Sequence, residues 1–484
     1  MANKISAIFI GVICFLGTIN AQSINFFKTY GGNGYDYGQG IVQLPDSGYA
    51  ITGASSSFDN APSQAFILRL DSMGNYKWSL NYGGNQSDWG RRIFYSPTQG
   101  YWVAGYSNSF GAGDFDFYLL KTDLAGTKQW EKTYGTSDLE RLWDAVMLPD
   151  SGFVMVGETT GALSLDKDIY IVRTNFNGDT VWTKRIQSAE DDIAYTCMLQ
   201  NDTTVIIGGK SSNTSNNMTA YLSSIDVDGT VNWTKFNGTS GAGEIYDMDT
   251  LNGSLYSAGG ITLTDSSSLD HWQINTDFSG NLLQEHIDSR PKEDYVSHII
   301  SRNNLLYITA WTVTTDFVLY PGGADLFLVN YQPNFNWGGF SKSYSGLDPD
   351  ECHQMIRTSD GGLAMVGWAS DFHFTTGGSD ISLIKLGRND ESPAGVNGKL
   401  TLVSIQEETM SNDFVIYPNP VSDVLHISLD KTISMQYALT DVYGKTLTSG
   451  ELQETIEMSQ YPEGIYFLQI SSSTSSKVVR IVKH

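Results

Sequence analysis

A nine-residue phrase recurs along this chain at an almost constant interval, and that interval decides what the chain can fold into. The copies are Leu-Asp-Ser-Met-Gly-Asn-Tyr-Lys-Trp at 70–78, Thr-Asp-Leu-Ala-Gly-Thr-Lys-Gln-Trp at 122–130, Thr-Asn-Phe-Asn-Gly-Asp-Thr-Val-Trp at 174–182 and Ile-Asp-Val-Asp-Gly-Thr-Val-Asn-Trp at 225–233. Their closing residues Trp78, Trp130, Trp182 and Trp233 are spaced by 52, 52 and 51 positions. A decayed copy at 276–284 keeps Asp277 and Gly280 but ends in Gln284, and another ends at Trp337. A fixed period of this length means that one supersecondary unit is repeated and stacked on its neighbours.

The unit reads as four strands. In the first copy, 38–44 is followed by the turn Pro45-Asp46-Ser47-Gly48, then by 49–54, a Ser-rich loop, 66–70, the turn from Asp71 to Gly74, and 76–82. The apolar runs have strand length and period two, and Gly, Asp, Ser and Pro punctuate them because they tolerate turn geometry. Four strands in about 50 residues is the arithmetic of a β-propeller blade. The N-terminal Phe-Phe-Lys-Thr-Tyr-Gly-Gly at 26–32 matches the fourth strand of a unit, whereas the last unit, 350–386, has no fourth strand of its own. The expectation is seven blades over 22–387, with 26–30 closing the ring and removing an open edge.

The expected fold class is therefore all-β: a seven-bladed β-propeller followed by a small Ig-like sandwich. A chain of 484 residues is too long for one ordinary core. The domains are read as a signal peptide at 1–21, the propeller at 22–387, a polar linker at 388–411 and a C-terminal module at 412–484. Lys4, the apolar run 8–16 and Ile19-Asn20-Ala21 form the export signal, with cleavage after Ala21. The residues before Cys14 do not suit a lipoprotein signal, and no later stretch approaches the about 20 apolar residues that span a bilayer. The mature chain keeps only Cys197 and Cys352, so disulfides are not its framework. With 53 acidic against 29 basic residues, the net charge of −24 disfavours nucleic acid and anionic lipid.

The phrase Asp-x-x-Gly-x-x-x-Trp resembles the blade-docking motif of pyrroloquinoline-quinone-type propellers, without that motif's usual Thr before Gly. The resemblance implies that Trp78, Trp130, Trp182, Trp233 and Trp337 pack on the neighbouring blade; it does not imply the quinone, and no cofactor is expected. Gly53, Gly105, Gly157, Gly209 and Gly367 recur where the second strand leaves the crowded centre, which close backbone approach explains.

Beyond residue 411 come short alternating stretches at 414–417, 425–429, 437–442, 465–470 and 478–482, which suit a small antiparallel sandwich. Four ordered motifs lie in this region. They are Tyr417-Pro418-Asn419-Pro420 through Asp423, the Asp-Val-Tyr-Gly run ending at Gly444, the Gly464-to-Tyr466 strand start, and the basic strand with Lys477, Arg480 and Lys483. They resemble the sorting domain of the type IX secretion system, the Por secretion tail. The resemblance implies carriage across the outer membrane by that machinery and a secreted or outer-surface location.

One polar feature of the repeat suggests chemistry. Asp36, Asp88, Glu140, Asp192, Glu244, Asp294 and Asp350 stand before successive first strands. Either each caps its own turn by accepting backbone N–H bonds, or the ring holds a cation or cationic ligand. A second recurrence, Asp116, Asp168, Asp270, Asp325 and Asp380, precedes the third strands and reads as turn chemistry rather than calcium ligation. No metal-ligand spacing or nucleophile context appears among the histidines, and no catalytic residue is assigned. Asp350-Glu351-Cys352-His353 reads as packing on a first strand. The expected function is a non-enzymatic binding module for glycan or protein; the alternative is a secreted carbohydrate hydrolase with its acid and base among the repeated aspartates. Unique polar residues converging on the channel would mark an enzyme, and repeated ones alone a scaffold.

Overall fold

The computed structural model describes residues 24–57, 62–160, 166–188, 190–212, 218–238, 241–263, 269–288, 294–312, 325–344, 350–369, 378–391, 403–404, 414–418, 420–429, 436–441, 446–452, 454–462, 464–471 and 476–483. The export signal read at 1–21 lies outside them. The chain divides into two compact units, Met1–Val403 and Ser404–His484.

The first unit is a ring of seven antiparallel sheets. Six take four strands in chain order, such as Asp36–Gln43, Tyr49–Ser55, Gln64–Leu70 and Tyr76–Tyr82 in the first. The first strand of every blade is innermost. Asp36–Gln43, Asp88–Ser96, Leu139–Met147, Ile193–Asn201, Gly241–Leu251, Asp294–Arg302 and Asp350–Arg357 touch one another in sequence, and the last returns to the first. The middle strands are buried along their whole length, as in Tyr49–Ser55 and Gln64–Leu70, because each face meets another blade. The core accordingly lies between blades: Trp102, Phe117 and Leu119 of blade 2 pack with Leu142, Phe153 and Met155 of blade 3. Outer strands such as Thr180–Ile186 face solvent and alternate toward polar residues.

Closure comes from the N-terminus, as the strand count predicts. Phe26–Gly31 pairs antiparallel with Asp380–Leu386, from Phe26 opposite Lys385 to Tyr30 opposite Ile381. It therefore supplies the fourth strand that blade 7 lacks.

The repeated phrase forms the seam between blades. Its Asp accepts backbone N–H bonds from the turn, at 2.8 Å from both Met73 and Asn75 to Asp71. Its Gly takes φ +71° at Gly74, +84° at Gly126 and +75° at Gly178, a conformation that costs glycine least. The same glycine receives the indole of the preceding blade: a Cβ on Gly126 would lie 3.1 Å from the Trp78 ring, and one on Gly178 2.7 Å from Trp130. Trp182 meets Gly229 and Trp233 meets Gly280 likewise. Phe26 takes this role against Gly74, and the hydroxyls of Tyr30, Tyr82 and Tyr134 donate to the carbonyls of Gly74, Gly126 and Gly178 at 2.6 to 2.7 Å. Trp337 differs from the other four, being 64% exposed. It stands opposite Tyr331 as Tyr76 stands opposite Leu70, at the start of its strand and short of the position that Trp78 takes. The turn of blade 7 runs from Gly387 to Glu391 and carries Asp390, at φ +63°, and that of blade 6 carries Phe335, at φ +60°, where the first five turns have glycine. The Asp390 side chain bends back to pair with Arg302 and accept from Tyr307 at 2.9 Å. Residues 388–391, the start of the expected linker, thus complete the last turn of blade 7.

Each inner strand carries a β-bulge, and the recurrent glycine of the second strand stands beside it. A Cβ on Gly105 would lie 1.7 Å from the Trp89 carbonyl oxygen, and on Gly53 1.8 Å from that of Tyr37. A Cβ there would crowd the carbonyl, which favours glycine beside the bulge in these blades, whereas blade 6 carries its bulge beside Ala310.

The second unit is a sandwich of two small sheets. Phe414–Tyr417, Val424–Leu429 and Thr455–Glu457 form one; Thr446–Glu451, Gln436–Asp441, Gly464–Ser471 and Ser476–Lys483 form the other. Leu425, Ile427 and Ile456 from the first close on Leu439, Leu468, Ile470 and Ile481 from the second.

Candidate functional site

The bulges place one unpaired residue per blade at the centre of the ring. Reading the register shifts in order gives Gln39, Arg91, Trp143, Tyr195, Tyr246, Ser297 and His353. All seven line a single cavity of about 500 Å³, together with Arg92, Lys167, Glu351 and neighbouring apolar atoms. That volume lies in the range of small-ligand sites. A bulge re-aims a side chain out of the pleat, which is why these residues leave the blade interior and face the channel.

The wall is continuous from Gln39 to Tyr246. Arg91 donates to the Gln39 amide oxygen at 2.6 Å and lays its guanidinium over the Trp143 ring at 4.7 Å. Trp143 meets Tyr195 edge to face at 5.4 Å, and Tyr195 meets Tyr246 at 5.1 Å. The Trp143 Nε1 donates to Glu158 at 3.2 Å, and Tyr246 donates to Glu244 at 3.1 Å, so both rings are fixed from behind. His353 Nε2 lies 3.4 Å from Glu351, which also accepts from the Trp368 indole at 3.1 Å. Carboxylates on the inner strands staple neighbouring blades around this cavity. Asp144 pairs with Arg92 at 2.5 Å and accepts the Cys197 amide at 2.9 Å, and Asp247 accepts the Ile299 amide at 2.8 Å.

Burial and the local cations set the protonation of the wall. Desolvation, with Arg91 and Arg92 nearby, pushes His353 down to about 3, so its imidazole is neutral at ordinary pH. Burial raises the Glu351 carboxyl, against the opposing pull of the Trp368 hydrogen bond and Arg91. Burial also lowers the Arg91 guanidinium from its usual value.

The acidic side chains that are described, those of Asp36, Asp88, Glu140, Asp192 and Glu244, do not line this cavity. Asp36, Asp88, Glu140 and Asp192 are at most 1% exposed. Asp36 accepts the Gly32 amide at 2.8 Å and the Ser55 and Ser57 hydroxyls; Asp88 repeats this with Gly84, Ser107 and Ser109. Glu140 accepts from Thr136 and Thr159, Asp192 from Ser188, and Glu244 pairs with Lys210 at 3.1 Å. The side chains of Asp294, Asp325 and Asp350 lie outside the described residues. The two acidic series meet across blade junctions. A Cβ on Gly31 would lie 2.0 Å from Asp380 and 2.8 Å from Asp36, and one on Gly135 would lie 1.8 Å from Asp116 and 2.5 Å from Glu140. Among the described residues, no three His, Cys, Asp or Glu side chains gather as a metal-ligand set.

In Asp350-Glu351-Cys352-His353, Cys352 packs in the core between blades 6 and 7 and also borders the cavity, which Glu351 and His353 line. The packing reading holds for the cysteine and not for Glu351 and His353. The sequence does carry a signal for the missed residues. They fall three positions after the acidic residue in six blades and two after it in the fifth, a phase of the repeat at which residue type varies from blade to blade.

In the C-terminal unit, Tyr417 is exposed and stacks on His426 at 5.5 Å, and Pro418, Pro420, Asp423 and Gly464 are exposed too. Tyr466 is buried and donates to the Pro462 carbonyl at 2.7 Å, and Lys483 ends the last strand, against which Val421 forms a parallel bridge. Asn419, Gly444 and the side chains of Lys477 and Arg480 lie outside the described residues.

Fold and cavity together define a seven-bladed β-propeller with a walled central pocket, carried on one chain with a two-sheet sandwich. Residues 415–484 match the family described as secretion system C-terminal sorting domain, which supports secretion of this chain to the cell surface or outside. Among solved structures the chain is similar to Sqt1 from Chaetomium thermophilum, at 12% identity over 75% of this chain and 98% of that one, with TM-score 0.43. It is similar to the β-propeller domain of the Trilobed protease from Pyrococcus furiosus at 9% identity over 77% and 99%, with TM-score 0.43. It is also similar to polysaccharide lyase Uly1 at 10% identity over 74% and 90%, with TM-score 0.45. No curated protein matches the chain. No described helix is long and apolar enough to cross a membrane.

Proposed function

We propose that this chain is an exported binding protein that holds a saccharide in the central pocket of its propeller. The observation that carries this reading is the ring of bulge residues: a repeat that keeps its turns and seams nearly constant places a different side chain in almost every blade at the one phase facing the channel. Trp143, Tyr195 and Tyr246 offer ring faces and edges to sugar C–H groups, and Arg91, Gln39, Ser297 and His353 offer hydrogen bonds to hydroxyls. Unique residues at the channel also suit a catalyst. The carbohydrate hydrolase alternative draws little support from the repeated aspartates, which are buried and occupied by hydroxyl and amide donors. Glu351 is the one carboxylate among the described residues lining the pocket, whereas the usual glycosidase chemistry uses two.

Export follows a two-step route in this reading: residues 1–21 direct passage through the inner membrane and are removed, and the type IX machinery engages residues 412–484. A glycan array probed with the wild-type chain and Trp143→Ala, with hydrolysis assayed in parallel, tests the binding reading. Saccharide binding that falls about tenfold in the variant without product formation supports it, since loss of a well-packed aromatic contact costs about 1.5 kcal/mol. Turnover of a bound glycan would replace it with the enzymatic reading.

A further inference from the structure

The cations around the pocket are not equivalent. Arg92 is paired with Asp144 at 2.5 Å, and Lys167 is paired with Glu158 at 3.2 Å. Arg91 forms no ion pair among the described residues. Its contacts are the neutral Gln39 amide and the face of Trp143, and Glu351 is committed to Trp368 and His353 instead. The guanidinium is half-buried on the wall of a cavity that a ligand would dehydrate further. The charges of Glu351 and Asp144 act on Arg91 without touching it, so a partly desolvated cation is left with no carboxylate in direct contact, and a guanidinium fork matches planar or tetrahedral oxyanions. The neutral His353 on the same wall adds no charge, and with its Nε2 turned to Glu351 its Nδ1 is left to accept a hydroxyl. The whole chain carries −24, so general electrostatics repel anions, and any anion preference has to come from this pocket.

We infer that the saccharide taken by this pocket is acidic, with a carboxylate or sulfate ester seated on Arg91 beside His353 and the sugar ring against Trp143. This inference rests on the saccharide-binding reading above and narrows its ligand class. The Gln39 amide holds the guanidinium in place, and the Trp143 face leaves its outer edge for the anion.

Titration calorimetry of the purified chain against two matched pairs tests it: oligogalacturonate with its carboxyl-reduced form, and a sulfated galactan oligosaccharide with its desulfated form. The expected result is that an anionic member binds about tenfold or more tightly than its neutral partner, the scale of one charge-assisted hydrogen bond. Arg91→Gln should remove that preference and its salt dependence, and Arg91→Lys should keep part of both, with each variant melting like the wild type. Which pair shows the preference distinguishes carboxylate from sulfate. Equal binding of neutral and anionic partners, with loss of both in Trp143→Ala, overturns the acidic assignment and leaves the saccharide reading standing. An anion preference unchanged in Arg91→Gln overturns the role of Arg91. Failure of every probe to bind overturns both.

Discussion

Asp380 and Asp36 show how one residue's environment becomes a property of the fold. Their carboxyls converge beside Gly31 at the closing seam, and both are buried. Burial, together with the charge of Asp36, pushes Asp380 up to about 7, and burial raises Asp36 despite its three hydrogen-bond donors. The folded state therefore holds a proton at Asp380 more tightly than the unfolded chain does. The stability this proton confers is full below about pH 4 and is lost as pH rises toward about 7. Asp380→Asn removes the titration, so the variant should gain melting temperature relative to wild type at pH 8 and lose that advantage at pH 4. Melting curves that run parallel across this range would contradict the argument. Asp116, pushed up to about 6 by burial and the charge of Glu140, should add the same trend over a narrower window.

Among the elements, the inner strand and its neighbour form one device. The bulge turns a side chain into the channel, and the second-strand glycine makes room for it. Gly105→Ala would bring a methyl to 1.7 Å from the Trp89 carbonyl, which must move. Overpacking of this kind costs about 1–3 kcal/mol, and because Arg91 is the bulge residue there, ligand binding should fall along with stability. A folded variant with unchanged binding would show that the bulge does not aim the pocket. The closing strand is the second device. Removing residues 24–31 strips the pairing from Asp380–Leu386, the Tyr30 hydrogen bond of 2.7 Å and the Phe26 contact with Gly74. The exposed edge should make the chain self-associate, and light scattering with thermal melting would detect it. A monomeric variant with wild-type melting would show that the ring closes by other means.

Across the whole molecule, the two compact units divide the labour, one carrying the pocket and the other the sorting-domain match. The propeller should survive alone, provided the cut spares the Gly387-to-Glu391 turn and its Asp390–Arg302 pair. A chain ending at 391 should fold and bind as the full chain does. One ending at 387 should be less stable, because Arg302, 7% exposed, would lose its carboxylate partner. In its own cell the 391-residue form should cross the inner membrane and stop in the periplasm. Fractionation that found it at the cell surface would refute the sorting role of residues 412–484.

The period of the sequence is sufficient for the ring, its strand order and its closure, because strand length, turn residues and repeat spacing are local properties that survive in one dimension. The Asp-x-x-Gly-x-x-x-Trp phrase likewise contains its own turn and its own docking indole. Trp337 ends a run that keeps neither the Asp nor the Gly of the phrase, and the register seats it opposite Tyr331 as Tyr76 sits opposite Leu70, at the exposed start of its strand. The acidic series drew attention in sequence because it repeats, and in the first four blades its carboxylates serve as the same hydrogen-bond acceptor at the blade end. The pocket was hidden for the opposite reason. Gln39, Arg91, Trp143, Tyr195, Tyr246, Ser297 and His353 share no residue type that a search for recurrence would find. Only closure of the ring brings residues some fifty positions apart onto one wall, and only the bulges turn them inward.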